Sequence, residues 1–308
     1  MDEKVIHALI PARSGSKGIT NKNIILYNGV PLMVHSIKQA IGCKYISRVI
    51  VSTDSKKYRD IAIEAGAEVP FLRPPELSGD TNRDYDFFIH YISHLKSIDS
   101  PLPDIIVQFR PTTPTRDENT IEDTIRTFLN PMIYNNYHSL RTVVPVKKSP
   151  YKMYNIVPYM DNRNQSNNIN NNINNIKNEP RLLNLKPLFG HLIHPNNTSI
   201  IYEPYNAPRQ LLPNCYLHDG YIDIVKTDTL INRQSVSGDK IYPYVRNIDE
   251  EQIEDIDTYS DLKNATKSSS ISENNYPNKD DIDIGNDNTM DQVLDNTGIM
   301  AIGFRLNK

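Results

Sequence analysis

The feature that most constrains this chain is a short apolar run that ends in a proline and leads into a basic, glycine-containing loop. Residues 5–11 read Val-Ile-His-Ala-Leu-Ile-Pro. Pro11 has no backbone N–H to donate, so the run is typical of a buried strand that stops there. Two glycines and three cations follow: Gly15, Gly18, Arg13, Lys17 and Lys22. Glycines let backbone amides approach an anion closely, so the loop favours phosphate binding, and an ordinary basic turn is the alternative for any short window of it.

The spacing of this loop excludes two common phosphate-binding motifs. A Walker A loop needs Gly, four residues and then Gly-Lys followed by Ser or Thr, and a dinucleotide fingerprint needs three glycines in its own spacing. Neither pattern fits residues 14–18. The chain is therefore predicted to bind phosphate in another way.

The segments after the loop predict a parallel sheet. Apolar residues recur at helical spacing over residues 31–46, and Arg48 to Asp54 reads as a second strand. Strand, loop, helix and strand within about 50 residues make a βαβ unit, so we expect an α/β domain with a mostly parallel sheet and helices on both faces. Asp54 closes the second strand, either as a ligand-contacting residue or as the N-cap of the next helix.

Composition narrows the class of protein. The chain has 308 residues, a net charge of −3 and a pI near 6.2, which argues against a nucleic-acid binder. It has no apolar run near the roughly 18 residues of a membrane span. Its two cysteines, Cys43 and Cys215, are far apart and read as free thiols of a reducing compartment. We therefore expect a cytoplasmic protein with neither nucleic-acid nor membrane partners.

The loop over residues 10–18, Ile-Pro-Ala-Arg-Ser-Gly-Ser-Lys-Gly, resembles the nucleotide loop of the acylneuraminate cytidylyltransferase family, which is related to the CMP-Kdo synthetases. The resemblance implies a three-layer, Rossmann-like nucleotide-diphospho-sugar transferase fold. It also implies nucleotide contacts from Ala12, Arg13, Ser14, Gly15, Lys22 and Asn23. Catalytic stabilisation of phosphate charge would come from Arg13, Lys17, Lys22 and Asn23.

Two further stretches resemble the family. The proline-punctuated residues 67–81 imply nucleotide contacts from Arg73, Asp80 and Thr81, with Arg73 helping to select the base, although Arg83 departs from the family pattern. Residues 110–117, Arg-Pro-Thr-Thr-Pro-Thr-Arg-Asp, resemble the family's QPTSPLR loop with Arg in place of Gln. They imply acceptor contacts from Arg110, Thr112 and Thr113. Arg110 is expected either to pair with a carboxylate of the sugar or to form a structural salt bridge.

Residues 203–213 match the family's PRQxLP segment, which implies acceptor contacts from Arg209 and Gln210 and a homodimer interface in this region. Leu217 stands where synthetases for sialic acid carry an arginine for the sugar carboxylate. Arg110 is expected to compensate for that missing arginine.

The acidic residues 249–262 balance the basic loop. Asp255 and Asp257 are two apart, so in an extended segment both side chains point the same way, as a pair that holds Mg²⁺ should. The stretch resembles the family's IDIDT metal segment. The alternative is a solvated helix start with Thr258 or Asp257 as N-cap.

The resemblance covers about residues 4–265, so we expect a cytidylyltransferase domain over residues 1–265. An Asn-rich stretch at about residues 159–180 is too polar to offset its ordering entropy and predicts a disordered insertion. Residues 266–308 predict a polar, largely disordered tail, in which residues 298–304 either add an edge strand or lie loose.

The predicted reaction joins CTP to an α-keto acid sugar of the sialic, legionaminic, pseudaminic or Kdo type, giving a CMP-sugar and pyrophosphate, with Mg²⁺ as cofactor. Two alternatives stay open. One is an enzyme for another nucleotide or sugar, such as UTP with a sugar 1-phosphate. The other is an inactive homologue that binds a nucleotide without turnover.

Overall fold

The structure is a computed structural model and describes residues 3–158, 183–193, 199–248 and 255–268. The chain divides into two compact units, Met1–Ala265 and Thr266–Lys308. The described residues lie in the first unit except residues 266–268, which belong to the second. The predicted Asn-rich insertion and the possible strand at residues 298–304 lie outside the described residues.

The described strands are β1 (Ile6–Pro11), β2 (Leu26–Tyr27), β3 (Val30–Pro31), β4 (Arg48–Ser52), β5 (Ile105–Gln108), β6 (Ser139–Pro145), β7 (Tyr154–Pro158), β8 (Leu183–Pro187), β9 (His191–Ile193), β10 (Ile200–Tyr202), β11 (Tyr216–Lys226) and β12 (Ile241–Val245). The described α-helices are α1 (Leu32–Gly42), α2 (Lys56–Glu64), α3 (Asp84–Ser97), α4 (Glu118–Leu129), α5 (Pro131–Asn136), α6 (Thr227–Asn232) and α7 (Tyr259–Ser268).

Six strands form the central sheet in the order β12-β6-β11-β5-β1-β4. β1 pairs in parallel with β4 and β5, and β12 pairs in parallel with β6. β11 is antiparallel to both of its neighbours, β5 and β6, so it alone of the six runs in the opposite direction. The prediction of a mostly parallel sheet is confirmed.

Helices cover both faces of this sheet, as predicted, because the strands are apolar on both sides. Ala8 and Ile10 of β1 pack into a cluster with buried side chains of α1, α2 and α4. Leu9, between them, belongs to a second cluster with buried side chains of α3 and α6. Successive residues of a strand point to opposite faces, so this alternation gives three layers.

The helix starts follow their N-cap residues. Ser55 caps α2 by accepting a hydrogen bond from the backbone N–H of Tyr58, and Asp117 caps α4. The N-cap alternative for Asp54 is therefore wrong, because the neighbouring serine has that position. At α7, the Thr258 hydroxyl accepts from the Asp261 N–H and the Asp261 carboxylate accepts from the Thr258 N–H. This reciprocal pair is a capping box, and it makes Thr258 the N-cap.

Three two-stranded antiparallel sheets, β2–β3, β7–β8 and β9–β10, lie outside the central sheet. Cys43 and Cys215 are free thiols, as predicted. Among the described residues, no helix has both the length and the apolar character needed to cross a membrane.

Candidate active site

An open cleft of about 660 Å³ lies where β1 and β5 end. Its walls come from four separate segments of the chain, within residues 11–23, 73–87, 110–112 and 255–257. In α/β sheets, ligands bind outside the carboxyl ends of the strands. The cleft thus gathers all the motifs of the sequence except the one at residues 203–213.

The phosphate loop, residues 12–23, is tied down at both ends. The N–H of Ala12 donates to the carbonyl of Ser52, and the side-chain amide of Asn23 donates to the carbonyl of Arg13 at 2.8 Å. The Asp54 carboxylate accepts from both the backbone N–H and the hydroxyl of Ser14, each at 2.8 Å. Asp54, just beyond the end of β4, therefore orders this loop, which is neither of the two roles considered for it from the sequence.

Each of the three loop cations pairs with a carboxylate from another segment. One oxygen of Asp80 lies 2.7 Å from Arg13 Nη1, and the other lies 2.6 Å from Lys17 Nζ. Lys22 Nζ lies 2.6 Å from Asp257 Oδ1. Hydrogen bonds from Lys17 and Arg13 hold the pKa of Asp80 below its usual value.

The acidic segment, residues 255–257, packs closely against the phosphate loop through its backbone. A Cβ on Gly18 would lie 2.4 Å from the carbonyl oxygen of Asp257, so only glycine fits at this position without a shift of the backbone. Ile256 is fully buried beside Ile19, and its N–H donates to the carbonyl of Thr112 at 2.8 Å. Three distant stretches of sequence thereby meet at one point.

Asp255 and Asp257 both line the cleft. Burial raises the pKa of Asp255, a hydrogen bond from the Thr112 side chain opposes that shift, and the nearby Asp257 charge adds to it. Within the described residues no group of three or more His, Cys, Asp or Glu side chains could hold a metal by itself. Mg²⁺ is commonly held by one or two carboxylates together with substrate phosphates, and this pair of carboxylates fits that requirement.

Arg73 is buried at the edge of the cleft. Its Nε donates to the Ser52 hydroxyl at 3.2 Å, a second guanidinium nitrogen donates to the Ser52 carbonyl, and the group lies over the Phe87 ring. Burial lowers the pKa of Arg73 to about 10. The side chain of Arg83 also lines the cleft, whereas Thr81 is not among the lining residues.

Arg110 is held by two carboxylates of the chain itself. It lies 2.9 Å from Asp84 and 3.0 Å from Asp223, and Asp223 also contacts His218 Nε2 at 2.7 Å. Burial alone would lower the pKa of Arg110, but the charges of Asp84 and Asp223 outweigh it and raise that pKa. The geometry matches the structural salt bridge, the second of the two roles expected for Arg110.

Arg116 is a residue whose role the sequence did not reveal. Its guanidinium is buried and donates to the carbonyls of Arg110, Thr113 and Tyr221 and to the Ser36 hydroxyl. Burial lowers the pKa of Arg116 to about 9. The sequence feature that could have indicated this role is the position of Arg116 as the last basic residue of the 110–117 stretch that resembles the family's loop.

Thr112 lines the cleft, and Thr113 is buried next to it with a hydroxyl that has no partner among the described residues. Arg209 and Gln210 lie elsewhere, in the exposed 3₁₀ turn Arg209–Leu211, where Arg209 donates to the Lys147 carbonyl. The structure thus brings the predicted residues to the cleft or its supports except Gly15, Thr81, Arg209 and Gln210.

Comparisons with known proteins agree with this architecture. A family model described as Cytidylyltransferase matches residues 7–199. The chain is 35% identical over 149 residues to an N-acylneuraminate cytidylyltransferase of Escherichia coli, covering 48% of this chain and 32% of that protein. It is 37% identical over 120 residues to a CMP-N,N'-diacetyllegionaminic acid synthase of Legionella pneumophila, covering 39% and 51%. These matches span only a third to a half of the length of the two relatives.

A solved structure of a CMP:2-keto-3-deoxy-manno-octonic acid synthetase complexed with CTP shares the fold. The TM-score is 0.56 at 14% identity, and the match covers 86% of this chain and 98% of that one. At this identity the likeness shows the fold alone.

Proposed function

Since this chain belongs to the cytidylyltransferase family, we propose that it transfers the cytidylyl group of CTP to an acidic α-keto sugar and releases pyrophosphate. The observation that carries the proposal is the meeting of the loop cations with the Asp255–Asp257 segment in one cleft. Cations that bind phosphates and carboxylates that suit a divalent cation are the two requirements of nucleotidyl transfer.

In this reaction a hydroxyl of the sugar attacks the α-phosphorus of CTP, a new P–O bond forms, and the bond to the β-phosphate oxygen breaks. Arg13, Lys17 and Lys22 would stabilise the negative charge of the triphosphate and of the departing pyrophosphate. Asn23 would keep Arg13 in place through its bond to the Arg13 carbonyl. No histidine lines the cleft within the described residues, and we assign no general base.

Asp255 and Asp257 would hold Mg²⁺ together with the phosphates of the substrate. When bound, the ion would neutralise charge on the phosphates. Asp257→Ala is expected to abolish Mg²⁺-dependent turnover, with Asp60→Ala as control, because Asp60 is an exposed aspartate that pairs with the neighbouring Arg59. Turnover of Asp257→Ala with an unchanged Mg²⁺ dependence would show that the assignment is wrong.

The acceptor proposal rests on the relatives, two of which are named for N-acylneuraminate and N,N'-diacetyllegionaminic acid. Arg110 is already bound to Asp84 and Asp223, and Leu217 is half-exposed on β11. An acceptor that does not need an arginine at position 217 therefore fits this chain better than sialic acid itself.

Pyrophosphate release tests the proposed function. The purified chain is incubated with each of the four NTPs, Mg²⁺ and a panel of α-keto acid sugars, and we expect release with CTP and at least one of these acids. A clear preference for UTP or ATP would replace the CTP proposal with the first alternative. Binding of CTP without release for any acceptor would favour an inactive homologue.

We also propose that the chain forms a homodimer through the region of the β7–β8 and β9–β10 sheets. Most of the described large apolar side chains that are exposed lie between residues 153 and 217, among them Ile156, Leu185, Ile193, Tyr202 and Leu211. Such a concentration is typical of an interface. Sedimentation should show a dimer that Ile156→Glu weakens, while Met132→Glu, an equally exposed change on α5, leaves it intact. A monomeric wild type at micromolar concentration would contradict the proposal.

A further inference from the structure

A single carboxylate, that of Asp80, is ion-paired with two of the three cations of the phosphate loop. Asp80 Oδ1 lies 2.7 Å from Arg13 Nη1, and Asp80 Oδ2 lies 2.6 Å from Lys17 Nζ. The geometry is that of an anion bridging two donors, one oxygen to each. Asp80 thus supplies to these two side chains the negative charge that a phosphate group would otherwise supply.

The turn that presents Asp80 is ordered by its own hydrogen bonds. Asn82 Oδ1 accepts from the Gly79 N–H at 2.7 Å, and Asn82 Nδ2 donates to the Glu76 carbonyl at 2.9 Å. The Arg83 N–H donates to the Asp86 carboxylate at 2.9 Å, which joins the turn to the start of α3. Because the backbone on both sides is held, the Asp80 carboxylate is directed at the loop and is not a freely sampling surface group.

We propose that Asp80 is a specificity-determining residue of the triphosphate site, an internal anion that a ligand must displace from Arg13 and Lys17. The identity of that ligand as a nucleoside triphosphate rests on the function proposed above, but the displacement itself does not depend on turnover. A polyanion that reaches both cations replaces Asp80, and the loss of the two ion pairs lowers its net affinity. The affinity for a monophosphate that reaches neither cation does not change. The same exchange in reverse eases the departure of pyrophosphate.

The sign of this effect is opposite to that of a direct ligand contact. If Asp80 bound the nucleotide directly, as the resemblance implies, its removal would weaken the binding of CTP and CMP alike. If it competes with the phosphates, its removal frees two cations and strengthens binding. Exposed ion pairs are weak, so the expected gain is about threefold to tenfold in the dissociation constant for a polyphosphate.

Calorimetric titration of the full chain at low ionic strength tests the proposal, with inorganic tripolyphosphate, pyrophosphate and CMP as probes. Asp80→Asn should bind tripolyphosphate and pyrophosphate about threefold to tenfold more tightly than wild type, with CMP affinity unchanged, and Asp80→Glu should stay near wild type. The difference should shrink in high salt, which screens exposed pairs.

Asp239→Asn is the matched control. Asp239 also bridges two basic side chains, His138 and Arg233, each at 2.9 Å, but it does not line the cleft. This variant should leave polyphosphate binding unchanged.

Equal or weaker polyphosphate binding by a folded Asp80→Asn, or a wild type that binds no polyphosphate, overturns the inference. Circular dichroism verifies the folding of each variant. Failure of the proposed function would appear separately, as tighter polyphosphate binding without pyrophosphate release from CTP.

Discussion

The phosphate loop and the 110–116 loop both line the cleft, but Lys17 of the first and Arg116 of the second are held in opposite ways. Lys17 is 80% exposed and pairs with Asp80 at the surface. Arg116 is buried and donates to three backbone carbonyls, and Arg110 sits between Asp84 and Asp223. Water screens the Lys17–Asp80 pair and does not screen the contacts of Arg116, while Arg110, with a side chain that is 30% exposed, lies between these extremes.

This difference separates a wall that exchanges partners from a wall that keeps them. An exposed ion pair stabilises the fold little, so it can give way to a substrate phosphate at small cost. A buried guanidinium cannot leave its partners without removing a donor from each of the desolvated carbonyls that it contacts. We interpret the Asp80 side of the phosphate loop, with Arg13 and Lys17, as the exchangeable wall of the cleft and the 110–116 loop as its fixed wall.

The largest test of the comparison is Arg116→Met. The carbonyls of Thr113 and Tyr221 would each lose a buried donor, the Arg110 carbonyl would keep the Ser36 hydroxyl, and we expect the free energy of unfolding to fall by about 3 kcal/mol. Urea denaturation measures this. Lys17→Ala is the matched loss of a cation from the exchangeable wall and should change the unfolding free energy by less than about 0.5 kcal/mol. Similar losses in the two variants would contradict the division into two walls.

The next test separates the phosphate loop from the acidic segment. Gly18→Ala places a Cβ 2.4 Å from the Asp257 carbonyl oxygen, so the two backbones must move apart. Misplacement of reacting groups by about 1 Å costs on the order of a hundredfold in rate, and kcat/KM should fall by about that factor. Gly190→Ala, where a Cβ would meet no atom within 4 Å, is the control. An unchanged kcat/KM for Gly18→Ala would show that this contact does not position the site.

The smallest expected effect is on the way the stability of the fold changes as the pH falls. Burial alone would raise the pKa of Asp223, but the hydrogen bond from His218 and the charges of His218, Arg110 and Arg141 together lower it. A carboxylate with a lowered pKa stabilises the fold above its ordinary pKa, and that contribution is lost as the pH falls through the lowered value. Asp223→Asn should therefore reduce the unfolding free energy by about 1–2 kcal/mol at pH 7. The gap to wild type should narrow below about pH 4.

Asp80→Asn is the matched change for this third test, because Asp80 also has a lowered pKa but lies in the exchangeable wall. Because Asp80 is exposed, its removal should change the unfolding free energy by less than about 0.5 kcal/mol at both pH values. A gap for Asp223→Asn that stays constant on acidification would mean that the Asp223 charge does not contribute to stability.

Local patterns in the sequence were sufficient for most of the elements. The strand that ends at Pro11 and the helix after Asp117 follow from apolar spacing, proline chemistry and capping, which act within a few residues of each other. The reversed direction of β11 did not follow, since a period of two residues is the same for a parallel and an antiparallel strand.

The candidate site was also predictable only in part. The phosphate loop and the acidic pair were visible because glycines, cations and carboxylates at short spacing carry their chemistry in the residue types. The partners of those charges were not visible, because Asp80 is 67 residues from Arg13 and Asp223 is 113 residues from Arg110. Such pairs depend on which segments the sheet brings together.

The residue types alone therefore establish an α/β chain with an anion-binding loop after its first strand. Only the tertiary structure pairs Asp80 with Arg13 and Lys17, and Asp257 with Lys22. It also places buried carbonyls within reach of Arg116. The reason is physical, because periodicity and capping are local properties of the backbone, whereas the partner of a charge is chosen by distance in space and by the burial that sets the strength of the interaction.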